Sequence, residues 1–319
     1  MIQYIEIKNY LSFMDASVNL QPFNLVVGAN GSGKSNFLNL FADISRWQGL
    51  SRGQTIGSVN IDIQSKHHVN AEKGGVNILC RTCDQSATSV LIGLRDLLDH
   101  EVIPIRCKVF TLDPNTVQAE ERIRPNIEMD ETGAGVVSVL DSLKTGDRED
   151  LFDQIEESLI RYIPSIKKLS IRTTDDGNKA LQVREHHLDE ILPISALSEG
   201  TRLIILILTL IHQENPPDII CIEDVDRGMH PRLYQQLVET LQDITVQNKV
   251  QILATTQNPY LLDQFTGEEE SVIIVEKKDG ASTLTCLADR LKDTPDGKTE
   301  QGPLGEMWYG GFLGGVPSK

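Results

Sequence analysis

Residues 28–35 read Gly-Ala-Asn-Gly-Ser-Gly-Lys-Ser and fit the pattern G-x-x-x-x-G-K-[ST]. An apolar run over 23–27 precedes them, and a helical pattern over 34–47 follows. A glycine-rich turn between a buried strand and a helix is typical of loops that hold phosphate. Backbone N–H groups and the positive end of the helix then point at one anion. The segment therefore favours an α/β fold in which a central strand leads directly into a helix.

Each residue type in this phosphate loop suits a triphosphate and its metal. The glycines allow backbone conformations that side chains would block. Lys34 can reach the outer phosphates as a point charge, and the Ser35 hydroxyl can ligate Mg²⁺. A turn that binds nothing is the alternative, and the flanking strand and helix disfavour it. The residues predicted to contact nucleotide here are Gly28, Ala29, Asn30, Gly31, Ser32, Gly33, Lys34, Ser35 and Asn36.

With 319 residues, the chain is long enough for one large α/β domain or for two lobes that share one core. We expect a single domain over 1–319, with a helical insertion at 113–165 and a Gly-rich tail at 293–319. Strand and helix patterns alternate in the last third, which predicts a largely parallel sheet covered by helices. Helices are predicted at 34–47, 90–98, 134–144, 148–163, 198–213, 231–247 and 259–264. Strands are predicted at 2–8, 16–20, 23–27, 58–64, 76–80, 102–111, 166–173, 179–185, 218–223, 250–255, 271–276 and 282–286.

Composition narrows the functional classes. Lys plus Arg number 30 against 46 Asp plus Glu, a formal net charge of −16, which argues against coating of nucleic acid by the whole surface. We expect no signal peptide, because the N-terminus lacks a cationic start before an apolar run. The apolar run Leu203–Ile211 is too short to span a membrane and predicts a buried helix. With five cysteines and no secretion signal, we expect a cytoplasmic protein with reduced thiols.

Four further segments follow in a fixed order. Leu197–Thr201 reads LSEGT at the start of an apolar helix, with Ser198 as a predicted N-cap and Gly200 leaving the helix end open to an anion. An apolar strand then ends in Glu223 and Asp224. The segment 225–231 reads VDRGMHP, and the segment 252–259 reads ILATTQNP. Taken singly, LSEGT could be an ordinary helix cap and the two carboxylates could be solvated surface charge.

In this order the segments resemble the SMC, RecF and OLD-type branch of ABC ATPases. The opening IEIKNYLSFMDASVNLQPFNLVVGANGSGKSNFL is similar to the usual start of that branch, as are LSEGTR, IEDVDRGMHP, TTQNPYLL and the ending LGEMWYGGFLGGVP. The resemblance covers nearly the whole chain and is weakest at 45–130. It implies a mixed, mostly parallel sheet flanked by helices, together with an antiparallel β lobe. No Toprim nuclease domain is recognisable, which indicates a stand-alone ATPase of this group.

The resemblance also implies a mechanism. Two subunits would face head to tail, and ATP held by the phosphate loop of one would meet Ser198 and Gly200 of the other. Glu223 would stand next to Mg²⁺, and Asp224 would orient or deprotonate the attacking water. Gln257 occupies the place of the switch histidine near the γ-phosphate.

The chain departs from the family pattern at three positions. The usual Asp-Glu pair is reversed to Glu223-Asp224, and Gln257 cannot carry the proton that a histidine can. Leu11 stands where the family often has a basic residue near the nucleotide. We therefore expect slow hydrolysis with binding and dimerisation better preserved. The glutamine of the family's Q-loop could be Gln54, Gln64 or Gln85.

Other candidate sites carry weaker signals. Cys80 and Cys83 form a CxxC that, with His67, His68 or Cys107, could bind zinc, but no second CxxC supports this, and plain thiols are preferred. His186 and His187 are read as surface residues. The aromatic residues Trp308, Tyr309 and Phe312 could stack on bases or dock a partner, and a tail folded back on the core is preferred.

The leading hypothesis is a Mg²⁺-dependent ATPase that dimerises on ATP and controls a nuclease or other effector, in DNA repair or in defence against phage or plasmids. DNA contact is possible under this hypothesis, and a membrane partner is not expected. One alternative is a nucleotide-sensing scaffold with little turnover. Another is the ATPase subunit of a membrane transporter, which the segment IEDVDRGMHP and the missing glutamine after LSEGTR disfavour.

Overall fold

The computed structural model describes residues 1–48, 55–56, 59–62, 75–82, 87–94, 105–123, 128–293 and 302–316. The chain forms two compact units. The first contains Met1–Val109, Pro217–Val225 and Thr240–Lys319, and the second contains Phe110–Pro216 and Asp226–Glu239.

The strands and helices are numbered in chain order. The strands are β1 Ile2–Tyr10, β2 Phe13–Asn19, β3 Phe23–Val27, β4 Thr55–Ile56, β5 Val59–Asp62, β6 Gly75–Thr82, β7 Ala87–Leu94, β8 Cys107–Phe110, β9 Ile166–Thr173, β10 Lys179–Glu185, β11 Ile191–Pro193, β12 Ile219–Ile222, β13 Gln251–Thr256, β14 Val272–Lys278 and β15 Ala281–Cys286. The α-helices are α1 Lys34–Gln48, α2 Val136–Thr145, α3 Glu149–Tyr162, α4 Glu199–His212, α5 Tyr234–Gln247, α6 Pro259–Leu262, α7 Leu287–Asp293 and α8 Leu304–Tyr309.

A mixed sheet, in the order β15-β14-β3-β13-β12-β8, carries the phosphate loop. Strand β3 lies between β13 and β14 and is parallel to both, and β13 is also parallel to β12. All five residues of β3 are buried, as a strand covered on both faces requires. Because the strands are parallel, β3, β13 and β12 end at the same edge of the sheet. Loops that follow such ends commonly form ligand sites.

A second sheet is the antiparallel β lobe that the sequence predicts. Its strands lie in the order β2-β1-β7-β6-β5-β4, and every adjacent pair is antiparallel. The buried Gln251 of β13 connects it to the mixed sheet. Its Nε2 donates to Ile2 O at 2.7 Å and to Gln21 O at 3.0 Å, while Ile2 N donates to its Oε1 at 2.9 Å. These hydrogen bonds satisfy both the donor and the acceptor of the buried Gln251 amide. They join the start of the chain to β13.

The core of the first unit surrounds α1. Phe37 and Phe41 of this helix are fully buried and stack edge to face, with ring centroids 5.3 Å apart. They belong to one apolar cluster with residues of β1, β2, β3, β12, β13 and β14. Burial of one large apolar side chain contributes roughly 1.5–3 kcal/mol, so this cluster fixes the helix that follows the phosphate loop.

The second unit is built around α4. Twelve of its residues, from Gly200 to His212 without Arg202, are buried, which explains why the helix is apolar on every face. Helices α2 and α3 and the antiparallel sheet β11-β10-β9 complete the unit. The predicted helical pair at 134–144 and 148–163 and the predicted strands at 166–173 and 179–185 are confirmed to within a few residues. No described helix is long and apolar enough to cross a bilayer.

One predicted element is wrong. The sequence predicts a helix over 90–98, and the structure has β7 there as far as Leu94. This strand pairs with β1 on one side and with β6 on the other. Pairing on both edges outweighs the local pattern, because strand preference depends on cross-strand neighbours more than on the residue itself. Two short helices near the end, α7 and α8, are absent from the prediction.

The buried His212 gives the second unit a testable pH dependence. Burial lowers its pKa below the ordinary value of 6.5. Below about pH 6.5 the unfolded chain then binds more protons than the folded chain, so the free energy of unfolding should fall as the pH decreases towards the folded-state pKa. In urea unfolding between pH 7.5 and 5.5, wild type should lose more stability than His212→Gln. Equal losses would exclude this assignment.

Candidate nucleotide site

The phosphate loop follows β3 and ends where α1 begins at Lys34. Gly31 and Gly33 have φ values of 74° and 114°, a region that side-chain-bearing residues rarely adopt. Gly28 packs closely on β14, since a methyl group at this position would overlap the carbonyl oxygen of Val275. A methyl group on Gly33 would lie 2.6 Å from Ser282 Oγ. The two contacts and the positive φ values together explain the three glycines of the pattern.

Two serines from outside the loop brace it. Ser282 follows a two-residue hairpin turn, Asp279-Gly280, with φ values of 52° and 86°. Its Oγ donates to Ser32 O at 2.6 Å and lies 2.8 Å from Ser12 Oγ. Asn36 Nδ2 donates to the same Ser12 oxygen at 2.9 Å. Neither serine stands out in the sequence, because strand pairing far along the chain brings them here.

Lys34 is folded back onto its own loop. Its Nζ donates to Gly28 O at 2.7 Å and to Ala29 O at 3.0 Å, and the residue is only 8% exposed. Burial lowers its pKa, and the nearby carboxylates of Asp224 and Glu223 oppose that shift with smaller effects. Burial lowers the pKa of this ammonium group more than the two carboxylates raise it. Its charged form would therefore be stabilised by further negative charge. A phosphate chain would supply that charge.

A cleft of about 260 Å³ opens beside the loop. Most of its walls come from residues that the sequence predicts, and one, Thr255, was missed. The lining consists of Asn30, Gly31, Gly33, Lys34, Ser35, Asn36, Glu223, Asp224, Thr255 and Gln257. Gly28, Ala29 and Ser32 belong to the loop backbone behind this lining. The structure thus brings Lys34, both carboxylates and Gln257 to one cavity, at the shared end of β3, β12 and β13.

Thr255 positions the second carboxylate. Asp224 N donates to Thr255 Oγ1 at 2.9 Å, and Val225 N donates to Thr255 O at 3.1 Å. Asp224 has a φ of 46°, in the left-handed region that aspartate enters more readily than most residues. Strained residues of this kind persist where the surroundings fix them, and they cluster at functional sites. Glu223 is half-buried and Asp224 is exposed to the cleft.

Gln257 lies just beyond β13 at the start of a capped turn. Asn258 Oδ1 accepts from Tyr260 N at 3.0 Å and caps the short helix α6. Gln257 itself is exposed. Its amide can donate to a phosphate or a water and accept from either, but it cannot change its charge.

The oxygen donors of the cleft fit magnesium. Mg²⁺ prefers hard oxygen ligands and is usually held by one or two protein oxygens, with phosphates and waters completing the shell. The Ser35 hydroxyl and the Glu223 and Asp224 carboxylates are such donors. The described residues contain no group of three or more His, Cys, Asp or Glu arranged to hold a metal alone.

One buried hydroxyl group in the loop could donate a hydrogen bond to a bound phosphate. Ser32 is 3% exposed, and within the described part of the chain its Oγ has no hydrogen-bond partner. An unpaired buried hydroxyl costs free energy unless a partner arrives.

The LSEGT segment lies in the second unit and begins α4. Ser198 is the N-cap, as predicted, and its Oγ accepts from Thr201 N at 3.2 Å. Glu199 forms an ion pair with Arg227 at 3.1 Å. Gly200 has a packing role that the sequence does not reveal, because a methyl group there would overlap the carbonyl oxygen of Gly228 and lie 3.0 Å from Met229 Cα.

Gly200→Ala should therefore destabilise the protein. In an open helix this change would stabilise by about 1 kcal/mol, because alanine has the higher helix propensity. Here the added methyl group meets backbone, and overpacking of this kind costs about 1–3 kcal/mol. Thermal melting without nucleotide should show a lower midpoint for the variant. An unchanged or higher midpoint would contradict the observed packing of Gly200 on Gly228.

Those weaker candidate residues that the structure describes do not line this cleft. His186 and His187 are exposed, as predicted. Cys107 Sγ lies 3.9 Å from the Sγ of the buried Cys221. Leu11 is 65% exposed at the turn beside Ser12, with a φ of 50°. Cys83, His67, His68, Gln54, Gln64 and Gln85, and the side chain of Cys80, lie outside the described residues.

Two models of known protein families match this chain. A family model described as "AAA ATPase domain" matches residues 1–130. A second, described as "AAA domain, putative AbiEii toxin, Type IV TA system", matches residues 134–263. A search of curated proteins found no match.

Solved structures of SMC heads share the fold. An SmcHead bound to the C-winged helix domain of ScpA superposes with a TM-score of 0.54 at 13% identity, covering 91% of this chain and 99% of that chain. A Pyrococcus furiosus Smc head domain with an extended coiled coil, bound to the C-terminal domain of ScpA, gives 0.53 at 13% identity, covering 91% and 98%. At this identity the likeness establishes the fold.

The phosphate loop lies between a central strand and its helix, and it faces carboxylates that follow a parallel strand two places away in the same sheet. This arrangement defines the class of P-loop nucleotide-binding proteins. Within that class, both matching family models describe AAA-type ATPase domains, and the fold is shared with the SMC heads.

Proposed function

We propose that this protein binds ATP with Mg²⁺ in the cleft beside the phosphate loop and hydrolyses it slowly. The observation that carries the proposal is the convergence of Lys34, Ser35, Glu223, Asp224 and Gln257 on one cavity of about 260 Å³. Backbone N–H groups of the loop and the start of α1 would hold the phosphates. Lys34 would leave its two loop carbonyls and pair with the outer phosphates.

The carboxylates of Glu223 and Asp224 would have different roles in hydrolysis. Ser35 and Glu223 would hold Mg²⁺, which neutralises charge that develops on the phosphate oxygens. Asp224 would accept the proton of the attacking water, and Gln257 would orient that water. Aspartate is shorter than glutamate and Gln257 cannot titrate, so both residues favour slow turnover. Positioning errors of about 1 Å can cost a hundredfold in rate.

We propose further that ATP joins two copies head to tail. The motif order supports this, because the LSEGT segment presents a helix N-terminus with Ser198 as its cap. Anions bind well at such an end. Ser198 and Gly200 of one copy would complete the nucleotide site of the other. ATP would then contact both copies and stabilise the dimer.

The dimer would control a separate effector in the cytoplasm, such as a nuclease, in DNA repair or in defence against phage or plasmids. The match of residues 134–263 to a family described as a putative AbiEii toxin supports the defence setting. SMC heads solved with ScpA support the idea that this fold works with a protein partner. The net charge of −16 favours a protein partner or a local DNA contact over broad DNA coating.

A scaffold that senses nucleotide without turnover is the second candidate, and the Glu223-Asp224 order and Gln257 favour it. Phosphate release by wild type distinguishes the two. Release that depends on Mg²⁺ and disappears in Lys34→Ala supports an ATPase. Binding with release no faster than in Lys34→Ala supports the scaffold.

The dimer is tested by sedimentation of Asp224→Asn with and without Mg-ATP, since slow turnover should trap the closed form. We expect a shift from monomer to dimer on ATP. Ser198→Arg in the same background should abolish the shift, while Ser165→Arg, an exposed serine elsewhere, should not. Monomers that persist with bound ATP would overturn the head-to-tail proposal.

A further inference from the structure

The last described segment of the chain, residues 302–316, lies against the phosphate loop. Residues 302–316 form the docked tail. It reaches the loop through Gly315, which has a φ of 69°. A methyl group on Gly315 would lie too close to Ile274 Cγ2, at 2.8 Å, and to Trp308 Nε1, at 3.3 Å, and would be in ordinary contact with Gly28 Cα at 3.5 Å. Gly28 is the first residue of the phosphate loop and also packs on the Val275 carbonyl of β14. The tail and β14 together therefore define the space around Gly28.

The carboxylate of Glu276 holds this end of the tail. Gly315 N donates to Glu276 Oε1 at 3.0 Å. A methyl group on Gly314 would overlap the same oxygen, which explains the glycine there as well. The other oxygen of Glu276 pairs with the Arg290 guanidinium of α7. Glu276 lies on β14, one residue beyond Val275, so one strand contacts Gly28 and fixes the tail.

The rest of the tail is anchored separately. Leu304, Met307, Trp308 and Leu313 are buried, with exposures of 6%, 7%, 6% and 0%. Gly305 N donates to Asp263 Oδ1 at 2.7 Å. These contacts do not involve the phosphate loop. Of these anchors, Trp308 is also a neighbour of Gly315, because its Nε1 would lie 3.3 Å from a methyl group there. The remaining anchors should keep the tail folded when Gly315 is changed.

We infer that the tail is a positioning element of the nucleotide site and that Gly315 is a positioning residue for the phosphate loop. The inference rests on the proposed function, because it assigns the tail to the same cleft. Neither Gly315 nor Glu276 lines the cleft, so they act through Gly28. The loop can bind phosphate only if its N–H groups converge on one point. Displacing Gly28 by a few tenths of an ångström would turn those groups away.

Coupling of this kind works in both directions. If the docked tail favours the binding-competent loop, bound nucleotide must favour the docked tail by the same factor. The tail then reports on the nucleotide state at a place remote from the cleft lining. Tyr309 and Phe312 are exposed on the tail, and their side chains would be held differently at the surface when nucleotide favours the docked tail.

The test compares two glycine variants of the tail. Gly315→Ala places a methyl group against Ile274 and near Gly28. Gly311→Ala places one at a φ of 84°, where its nearest neighbour beyond adjacent residues is Val316 Cγ2 at 3.5 Å. Both changes strain the backbone, and only the first crowds Ile274, the residue before the Val275 carbonyl that packs on Gly28. By calorimetry, Gly315→Ala should bind Mg-ATP about tenfold more weakly than wild type, and Gly311→Ala within about twofold. Equal affinities for the two variants would overturn the inference.

A second pair of variants covers the case in which Gly315→Ala fails to fold. Glu276→Ala removes the acceptor of the Gly315 N–H, and Glu306→Ala removes an exposed carboxylate from the same tail. Glu276→Ala should weaken Mg-ATP binding several-fold more than Glu306→Ala. If both bind as wild type does, the inference fails.

Hydrogen exchange at the Gly315 amide supplies a readout that a purely structural role would not move. Mg-ATP should slow this exchange in wild type at least several-fold, and unchanged exchange with nucleotide bound would contradict the coupling. Failure of the inference is distinguishable from failure of the proposed function. If wild type gives no heat with Mg-ATP, the proposed function fails. If wild type binds and the variants behave alike, only the role of the tail fails.

Discussion

Lys34→Ala should weaken Mg-ATP binding by about a hundredfold or more. Lys34 is 8% exposed, and its ammonium group donates to the carbonyls of Gly28 and Ala29, so it is held where a phosphate chain would pass. Removing one partner of a buried, hydrogen-bonded charge pair costs about 2–5 kcal/mol, and each 1.4 kcal/mol is tenfold in affinity. Calorimetric titration measures the loss.

Two controls separate this effect from a change in folding. Lys168→Ala removes the same charge from an exposed position and should bind as wild type does. Melting of Lys34→Ala without nucleotide should show no loss of the folded state, since burial already disfavours the charged ammonium. Wild-type affinity in folded Lys34→Ala would show that the phosphate loop does not hold the triphosphate.

Asp224→Asn should reduce phosphate release about a hundredfold or more while ATP affinity stays within about threefold of wild type. Asparagine cannot accept the proton of the attacking water, and positioned proton transfer contributes about 10²–10⁴-fold in rate. The substitution should preserve the fold, because asparagine enters the left-handed region readily and Asp224 has a φ of 46°. Single-turnover assays with saturating Mg-ATP give the rate.

Glu223→Gln tests whether the reversed pair keeps the roles assigned to it. If Glu223 stands beside the metal, this variant should need several-fold more Mg²⁺ for half-maximal activity. Asp224→Asn should keep the wild-type Mg²⁺ dependence. The opposite pattern, in which Glu223→Gln loses turnover at an unchanged Mg²⁺ requirement, would assign the catalytic base to Glu223.

Local patterns carried much of the prediction. The phosphate loop, the apolar strand before Glu223 and the buried helix after Ser198 each depend on residues that are neighbours in sequence. Their physical requirements, such as positive φ at Gly31 and Gly33 or a buried apolar run, are visible in a short window. The structure has these elements within a few residues of the predicted bounds.

Features that depend on distant pairing escaped the sequence. Strand β7 was predicted as a helix because its partners β1 and β6 are not apparent from its own residues. Thr255 and Ser282 were missed because their value comes from a neighbouring strand end and a distant hairpin. A Thr-Thr pair at the end of an apolar strand is the only local signal that could have indicated Thr255.

The glycines also separate into those whose role is visible in the local sequence and those whose role depends on distant contacts. Gly200 was interpreted as opening a helix end to an anion, and the structure adds a contact with Gly228 that requires glycine there whether or not nucleotide binds. Gly315 lies in the ending LGEMWYGGFLGGVP, whose residues indicate no contact with the phosphate loop. Its contact with Gly28 joins residues almost a whole chain apart, and no periodicity predicts such a meeting.

The central claim is that the phosphate loop encloses a triphosphate and its metal. A crystal structure of Asp224→Asn grown with Mg-ATP tests it most directly. We predict density for three phosphates inside the 28–35 turn, with Lys34 Nζ moved from the Gly28 and Ala29 carbonyls to the outer phosphates. Density elsewhere, or an empty loop with Lys34 still bonded to those carbonyls at saturating nucleotide, would contradict the account.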